Sequence, residues 1–252
     1  MRLVGRLAGL VCLTPMLALA QARADEEVRA AGDLRMRNLV GDIWIHTSVI
    51  DLDGSPTPSN GLVIGSSEAS LLVDTAWTRA QTQRILEWAD TALSRPIRLA
   101  VVTHSHSDRI GGLAALMERR VMVHAYEGTA RLARGSSAGW TRDAFEFEDS
   151  KRVRAGTYSI EAFYPGPGHS PDNVVVWIPE QRVLFGGCLV KSAGAKGLGY
   201  TGDADLESWP LALARVREKY SGALWVVPGH GEPGDLSLLD HTASLLRSAR
   251  RK

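Results

Sequence analysis

Apolar positions in this chain change period along its length, and the changes mark its elements. Short apolar runs dominate the early part: Ile43 to Ile50, Gly61 to Ile64 and Leu71 to Val73 each read as strands. Between the first two, Asp51 to Asn60 carries Gly54, Pro56 and Pro58 and reads as a turn or flap. From Thr78 the period lengthens, with Ile85, Leu86, Ala89, Ala92 and Leu93 on one helical face and Pro96 closing the helix. Ile97 to Val102 predicts a buried strand, followed by a helix from Gly111 to Arg119, a strand at Val121 to Val123 and a helix from Tyr126 to Arg134 that Gly135 ends. Tyr158 to Phe163, Val174 to Ile178 and Val183 to Phe185 predict strands, the middle one apolar throughout and so covered on both faces. Leu206, Trp209, Leu213, Val216 and Tyr220 step by three and four, which predicts a helix after Asp205 as N-cap. A strand at Ala223 to Val227 and a helix from about Asp235 complete the pattern. Runs of strands separated by helices predict an α+β chain with two sheets layered between helices.

The first 24 residues stand apart from that pattern. Arg2 and Arg6 precede an apolar run from Leu7 to Ala20 that is too short to span a bilayer, and Ala20-Gln21-Ala22 and Ala22-Arg23-Ala24 are both small-x-small cleavage sequences. This reads as a secretory signal peptide, residues 1–24, leaving residues 25–252 as one exported domain in the periplasm with no membrane segment. The 252 residues carry 29 basic and 28 acidic side chains; losing Arg2, Arg6 and Arg23 leaves 26 against 28. Neither balance makes a field that would gather nucleic acid or an anionic membrane. Arg247, Arg250, Arg251 and Lys252 read as a solvated helix end, where cations suit the helix dipole. A monomer is the expectation. Cleavage also removes Cys12, so Cys188 is the lone thiol of the exported chain and is expected to be buried or bound to something.

The chemistry gathers where strands end. After Val102 the chain reads Thr103, then His104-Ser105-His106-Ser107-Asp108-Arg109, then Ile110-Gly111-Gly112. In extended backbone, residues two apart point the same way, so His104, His106 and Asp108 can converge, and the two glycines allow a sharp turn into the next helix. His169 in Pro165-Gly166-Pro167-Gly168-His169, Cys188 in Gly186-Gly187-Cys188, and His230 in Pro228-Gly229-His230-Gly231 each follow a predicted strand in the same way. Six such ligands exceed what one tetrahedral ion uses, and imidazole with thiolate favours zinc; they divide into His104, His106 and His169 for one ion and Asp108, Cys188 and His230 for a second. Three protein ligands per ion leave positions open for water, which points to hydrolysis, with Asp108 also placed to orient the attacking water. Asp74, a carboxylate ending the strand Leu71 to Val73, needs a partner and is the candidate to orient a ligand; Asp203 is a further candidate. His46, His124 and His241 lack a comparable setting and read as packing residues. No serine nucleophile arrangement is evident.

On these residues the chain resembles the metallo-β-lactamase superfamily. His104-Ser105-His106-Ser107-Asp108 is similar to its signature, and Asp74, His169, Cys188 and His230 match its other blocks. The resemblance implies a four-layer αββα sandwich. Thioester hydrolases of the superfamily place a further His after the motif Asp; here Arg109 stands there, as a supporting residue, and Cys188 serves the second metal. That combination resembles the periplasmic class B β-lactamases of the di-zinc subclass B1, and implies two zinc ions per chain and a β-lactam substrate. It further implies that Lys191 pairs with the substrate carboxylate. Where relatives carry an Asn, Gly199-Tyr200-Thr201-Gly202-Asp203 places Tyr200 beside the substrate, and the flap lacks an aromatic tip. The alternatives are a lactone or thioester hydrolase of the same fold, or a periplasmic zinc-binding protein.

Overall fold

The computed structural model describes residues 27–135, 140 and 144–250, so the leader, Asp25, Arg251 and Lys252 lie outside the described residues. An eight-stranded sheet runs in chain order: β1 (Glu27–Ala31), β2 (Leu34–Val40), β3 (Ile43–Leu52), β4 (Ser55–Gly65), β5 (Ser70–Val73), β6 (Ile97–Val102), β7 (Met122–Tyr126) and β8 (Phe145–Phe147). A five-stranded sheet holds β9 (Ser150–Ala155), β10 (Tyr158–Phe163), β11 (Val175–Ile178), β12 (Val183–Gly187) and β13 (Trp225–Pro228), in the order β13-β12-β11-β10-β9. The helices are α1 (Arg79–Thr91), α2 (Ser107–Ile110), α3 (Leu113–Glu118), α4 (Glu127–Arg134), α5 (Trp209–Lys219) and α6 (Ser237–Ala249).

Period-two alternation sorts the strand residues into three apolar layers. Between the sheets lie Leu62 and Ile64 of β4, Leu71 and Val73 of β5, Val101 of β6, Val176 and Ile178 of β11, and Val183 and Phe185 of β12. Their immediate neighbours turn the other way. Val63, Leu72, Ala100 and Val102 pack against Ile85, Leu86 and Trp88 of α1, while Val175 and Leu184 pack against Trp209, Leu213 and Val216 of α5 and Leu238, Leu239 and Leu246 of α6. Helix, sheet, sheet, helix is therefore the layer order, as the resemblance implies. Each fully buried side chain of Val, Leu, Ile or Phe size contributes about 1.5–3 kcal/mol.

The structure corrects several expected boundaries. The expected flap is mostly strand: β3 and β4 pair from Ile43↔Ile64 out to Leu52↔Ser55, and the turn is confined to Asp53 and Gly54. Pro56 and Pro58 are tolerated because β5 pairs only with Leu62 to Gly65, leaving the outer half of β4 as an edge. Helix α1 stops at Thr91, short of Pro96. The later helix begins at Trp209 with Ser208 as N-cap; Asp205 instead accepts the amides of Glu207 and Ser208 in the turn before it. Helix α6 begins at Ser237, its amide held by Asp235. Strands β1, β2, β8 and β9 were not expected.

Candidate metal centre

Strand direction explains how distant residues meet. β12 and β13 are parallel and in register at Gly187↔Pro228, so Cys188 and His230 leave neighbouring strand ends side by side. β10 runs antiparallel to β11, which runs antiparallel to β12, so β10 points the same way and delivers the loop carrying His169 to the same edge. In the other sheet β6 delivers Thr103 and His104, and the amide of Val174 bonds to the carbonyl of Thr103, joining the two sheets there.

The six expected ligands form one continuous cluster. The rings of His104, His106 and His169 are mutually edge-on, with centroids 4.7, 5.1 and 5.0 Å apart. Asp108, Cys188 and His230 bring their donor atoms within 4.8 Å of one another, and so do the overlapping sets His104, His169, Cys188 and His104, His106, Asp108. The convergence of the signature has a different cause from the expected one. Only His104 and His106 sit in extended or bent chain; Asp108 lies in the single turn α2, which swings its carboxylate back toward them. Nor do the glycines serve a left-handed turn, since Gly111 has φ −61° and Gly112 φ −100°. They provide room: a Cβ on Gly111 would overlap the Trp77 carbonyl, and one on Gly112 the Thr82 hydroxyl.

Buried polar residues fix the loops. Asp74, fully buried and in the left-handed region at φ 61°, accepts the amide of Thr103 at 2.7 Å and its hydroxyl at 2.8 Å, which sets the start of the signature loop. Arg109 is also fully buried. Its guanidinium reaches Asp108 at 2.8 Å, the Cys188 sulfur and the Gly229 carbonyl at 3.0 Å, and Asp74 at 3.3 Å. Asp203 accepts a hydrogen bond from His106 Nε2 at 3.0 Å, turning Nδ1 toward His169 Nε2, 3.2 Å away. Three positioning residues escaped the sequence reading. Asn60 holds the His230 loop through the carbonyls of Pro228 and Gly231; Asp172 accepts the Ser105 amide; Asn173 spans the turn before it, bonding Gly166 and Ser170. Polar residues in loops look alike in sequence, and only the polar run Ser170 to Asn173 ahead of an apolar strand hinted at the last two.

The electrostatics suit a soft divalent cation. Burial lowers His104 to about 4, and burial with the nearby Lys191 charge pushes His169 lower still, so both rings are neutral and offer lone pairs. His104 Nε2 and His169 Nδ1 are buried with no hydrogen-bond partner. For Cys188 and Asp108, burial works against ionisation, yet Arg109 and His230 outweigh it and hold both well below their ordinary values. His230 is raised to about 10: burial opposes the charge, and the Cys188 thiolate and Asp108 carboxylate overcome it. A proton on His230 thus does what a metal ion would do among these anions. Asp74 is pushed up to about 7 by burial, against the pull of Arg109 and the Thr103 donors. Neutral imidazoles, a thiolate and a carboxylate make a donor set that fits zinc.

The cluster floors a cavity of about 700 Å³. Leu52, Pro56, Pro58 and Trp77 wall it on one side, and Lys191 and Tyr200 also line it. Trp77, another residue missed from sequence, adds an aromatic wall whose ring lies 6.4 Å from that of His230. Lys191 is half-buried, 5.3 Å over the Trp209 ring, with no carboxylate salt bridge among the described residues. His46, His124 and His241 lie away from the cavity: His46 Nε2 faces the carbonyls of Val73 and Asp74, His124 packs on Phe145, and His241 faces the Ala195 carbonyl.

Comparison with known proteins agrees with this geometry. The family model of the metallo-beta-lactamase superfamily matches residues 54–230. A metallo-beta-lactamase type 2 from Bacillus sp. (strain 170) is 38% identical over 216 residues, 86% of this chain and 83% of its own. Another from Bacteroides fragilis is 32% identical over 235 residues, 93% of this chain and 94% of its own. Among solved structures, a metallo-beta-lactamase from Pontibacter korlensis superposes with a TM-score of 0.81 at 43% identity, over 85% of this chain and 99% of that one. The metallo-beta-lactamase FIM-1 from Pseudomonas aeruginosa, solved in a mono-zinc form, gives 0.78 at 35% identity over 88% and 99%. Fold, donor cluster and relatives converge, and the chain belongs to the metallo-β-lactamase superfamily.

Proposed function

We propose that this chain is a zinc-dependent hydrolase of the β-lactam amide bond, exported by cleavage of residues 1–24 and active as the domain 25–252. The observation that carries the reading is a half-buried lysine, Lys191, with no carboxylate salt bridge among the described residues, in a cavity lined by five of the six convergent metal donors. His104, His106 and His169 would hold one zinc ion and Asp108, Cys188 and His230 a second. Zinc bound there supplies a Lewis acid for the substrate carbonyl and a water whose pKa falls to about 7.

The chain's own side chains do the rest. Asp108 Oδ2 is engaged by Arg109 and His230, which leaves Oδ1 to accept a hydrogen bond from the attacking water and aim it. The Lys191 ammonium pairs with the carboxylate that penicillins, cephalosporins and carbapenems share, fixing the ring above the donors. Trp77, Pro56 and Leu52 cover the apolar parts of the substrate and thin out water around the reacting bond. Asp74 and Arg109 hold Thr103, Asp108 and Cys188 in place from beneath. No described helix is long and apolar enough to cross a membrane.

The test is metal content measured beside ring-opening rates on a penicillin and a carbapenem, with an acyl-thioester as control, before and after chelation. Two zinc ions per chain and β-lactam turnover that chelation removes and zinc restores are expected. A protein that retains no zinc, or turns over only the thioester, overturns the reading.

A further inference from the structure

Lys191 stands in irregular chain beyond the end of β12, three residues past Cys188. The loop that follows it has little packing of its own: at Gly194, Gly197 and Gly199 a Cβ would meet only open space. Two helices outside the cavity hold this stretch instead. From α5, the Trp209 indole donates to the Leu189 carbonyl at 2.9 Å, and the Lys191 ammonium lies 5.3 Å over the same ring. From α6, the Thr242 hydroxyl accepts the amide of Lys191 itself at 2.8 Å, and His241 donates from Nε2 to the Ala195 carbonyl at 3.0 Å. Consecutive residues of one helix thus clamp both ends of the run from Lys191 to Ala195. Thr242 is fully buried, and its own proton is committed to the Leu238 carbonyl one turn earlier, at 2.7 Å. That leaves a lone pair for the Lys191 amide, on a β-branched side chain with a stiff χ1.

We propose that Thr242 is a positioning residue for Lys191, setting from helix α6 where the ammonium stands in the cavity and so how tightly the carboxylate of a β-lactam is held. This rests on the β-lactam reading above. The Trp209 ring alone does not fix the ammonium, because a cation over an aromatic face has no single directional partner. The hydrogen bond at the backbone amide fixes the point from which the flexible four-carbon stem starts. Thr242 does not line the cavity, so its loss reaches the substrate only through Lys191 and leaves the donor cluster's hold on the carbonyl in place. Misplacing an anchoring group by about 1 Å can cost about a hundredfold, and losing one tether at the root of a flexible side chain should cost part of that, roughly three- to tenfold.

Benzylpenicillin and its methyl ester share one nucleus and one acyl group and differ only in the charge of the carboxylate, so they isolate the contact. Thr242→Val, which keeps the shape and removes the acceptor, is expected to raise KM for the acid roughly three- to tenfold, with kcat moving less and KM for the ester staying within about twofold. Thr242→Ser keeps the hydroxyl and should recover most of the wild-type value. In a Lys191→Ala background, Thr242→Val should add nothing on the acid, because the group it positions is gone. Zinc content and melting temperature are measured for each variant, and Thr242→Ala makes the same comparison should the Val variant fail to fold. Equal losses on acid and ester, a Ser variant as impaired as the Val variant, a further loss in the Lys191→Ala background, or a fall in zinc content that accounts for the effect would each overturn the inference. A wild-type protein that opens neither substrate would instead refute the β-lactam reading, whereas one whose preference for the acid survives Thr242→Val refutes only this inference.

Discussion

Replacing Arg109 with Met tests whether the site is charge-balanced by the chain itself. The guanidinium is fully buried and touches Asp108 at 2.8 Å, the Cys188 sulfur at 3.0 Å and Asp74 at 3.3 Å. Coulomb attraction to Asp108 alone amounts to about 6 kcal/mol at an effective dielectric constant of about 20. Most of that offsets the desolvation of both groups, so the measured loss follows the cost of stranding a buried charge, about 3–5 kcal/mol. Against a total stability of about 5–15 kcal/mol, that is a large fraction. The assay is urea denaturation with chelator present, so that no metal substitutes for the missing cation, repeated with excess zinc. Arg109→Met should lose about 3–5 kcal/mol without metal and recover part of it with zinc, which favours the folded state where the donors converge. Arg109→Lys, which keeps the charge but not the planar fork, should fall between. A metal-free Met variant within about 1 kcal/mol of wild type would refute the reasoning, because it would mean that Asp108 and Cys188 are neutral or solvated and need no counterion.

Further predictions rest on independent features. Cys188→Ser removes the thiolate and should drop zinc from two ions per chain toward one and cut turnover about a hundredfold or more, read by metal analysis and kinetics; full activity with two ions retained would contradict the ligand assignment. His46 is buried neutral, lowered from 6.5 to about 4, chiefly by desolvation. Because the unfolded chain takes up this proton more readily, the contribution is fully present above pH about 6.5 and is lost as pH falls toward 4, a change of about 3 kcal/mol. His46→Gln keeps an N–H for the Val73 and Asp74 carbonyls, so its stability should fall by about 3 kcal/mol less than wild type between pH 7 and 4; parallel pH profiles would exclude the assignment. Gly112→Ala drives a methyl into the Thr82 hydroxyl at the start of α3 and should cost about 1–3 kcal/mol, visible as a melting temperature lower by several degrees; an unchanged value would show that Thr82 gives way freely.

What the sequence discloses depends on whether a residue's role is local. β6 and β10 were legible to the residue because Ile97 to Val102 and Tyr158 to Phe163 carry enough apolar side chains to report burial on their own. The donor cluster was legible because histidine, aspartate and cysteine recur just after strand ends beside glycine or proline, where a sheet edge presents side chains together. β9 was not, since Ser150 to Ala155 is an edge strand carrying Lys151 and the exposed Arg152 and Arg154, a composition that protects an edge and resembles a loop. β2 alternates Leu34, Arg35, Met36 and Arg37 for only four residues before Asn38 interrupts it. Asp108 shows that a correct grouping can rest on a wrong geometry: spacing by two suggested a strand, while a helical turn delivers the carboxylate. Asn60 and Trp77 were invisible because each meets a loop that is distant in sequence, and nothing in a neighbouring residue records that contact.

Arg109 joins these threads. A site that must bind dications needs ionised Asp108 and Cys188, and buried anions without partners would oppose folding. The chain answers with two cations of different kinds: a permanently charged Arg109 beneath the cluster and a His230 whose raised pKa keeps it protonated among the anions until something displaces the proton. The first cannot leave and the second can. The three apolar layers carry stability, the paired charges carry the site, and the open side of the cavity is left to Lys191 and Trp77 to choose what enters.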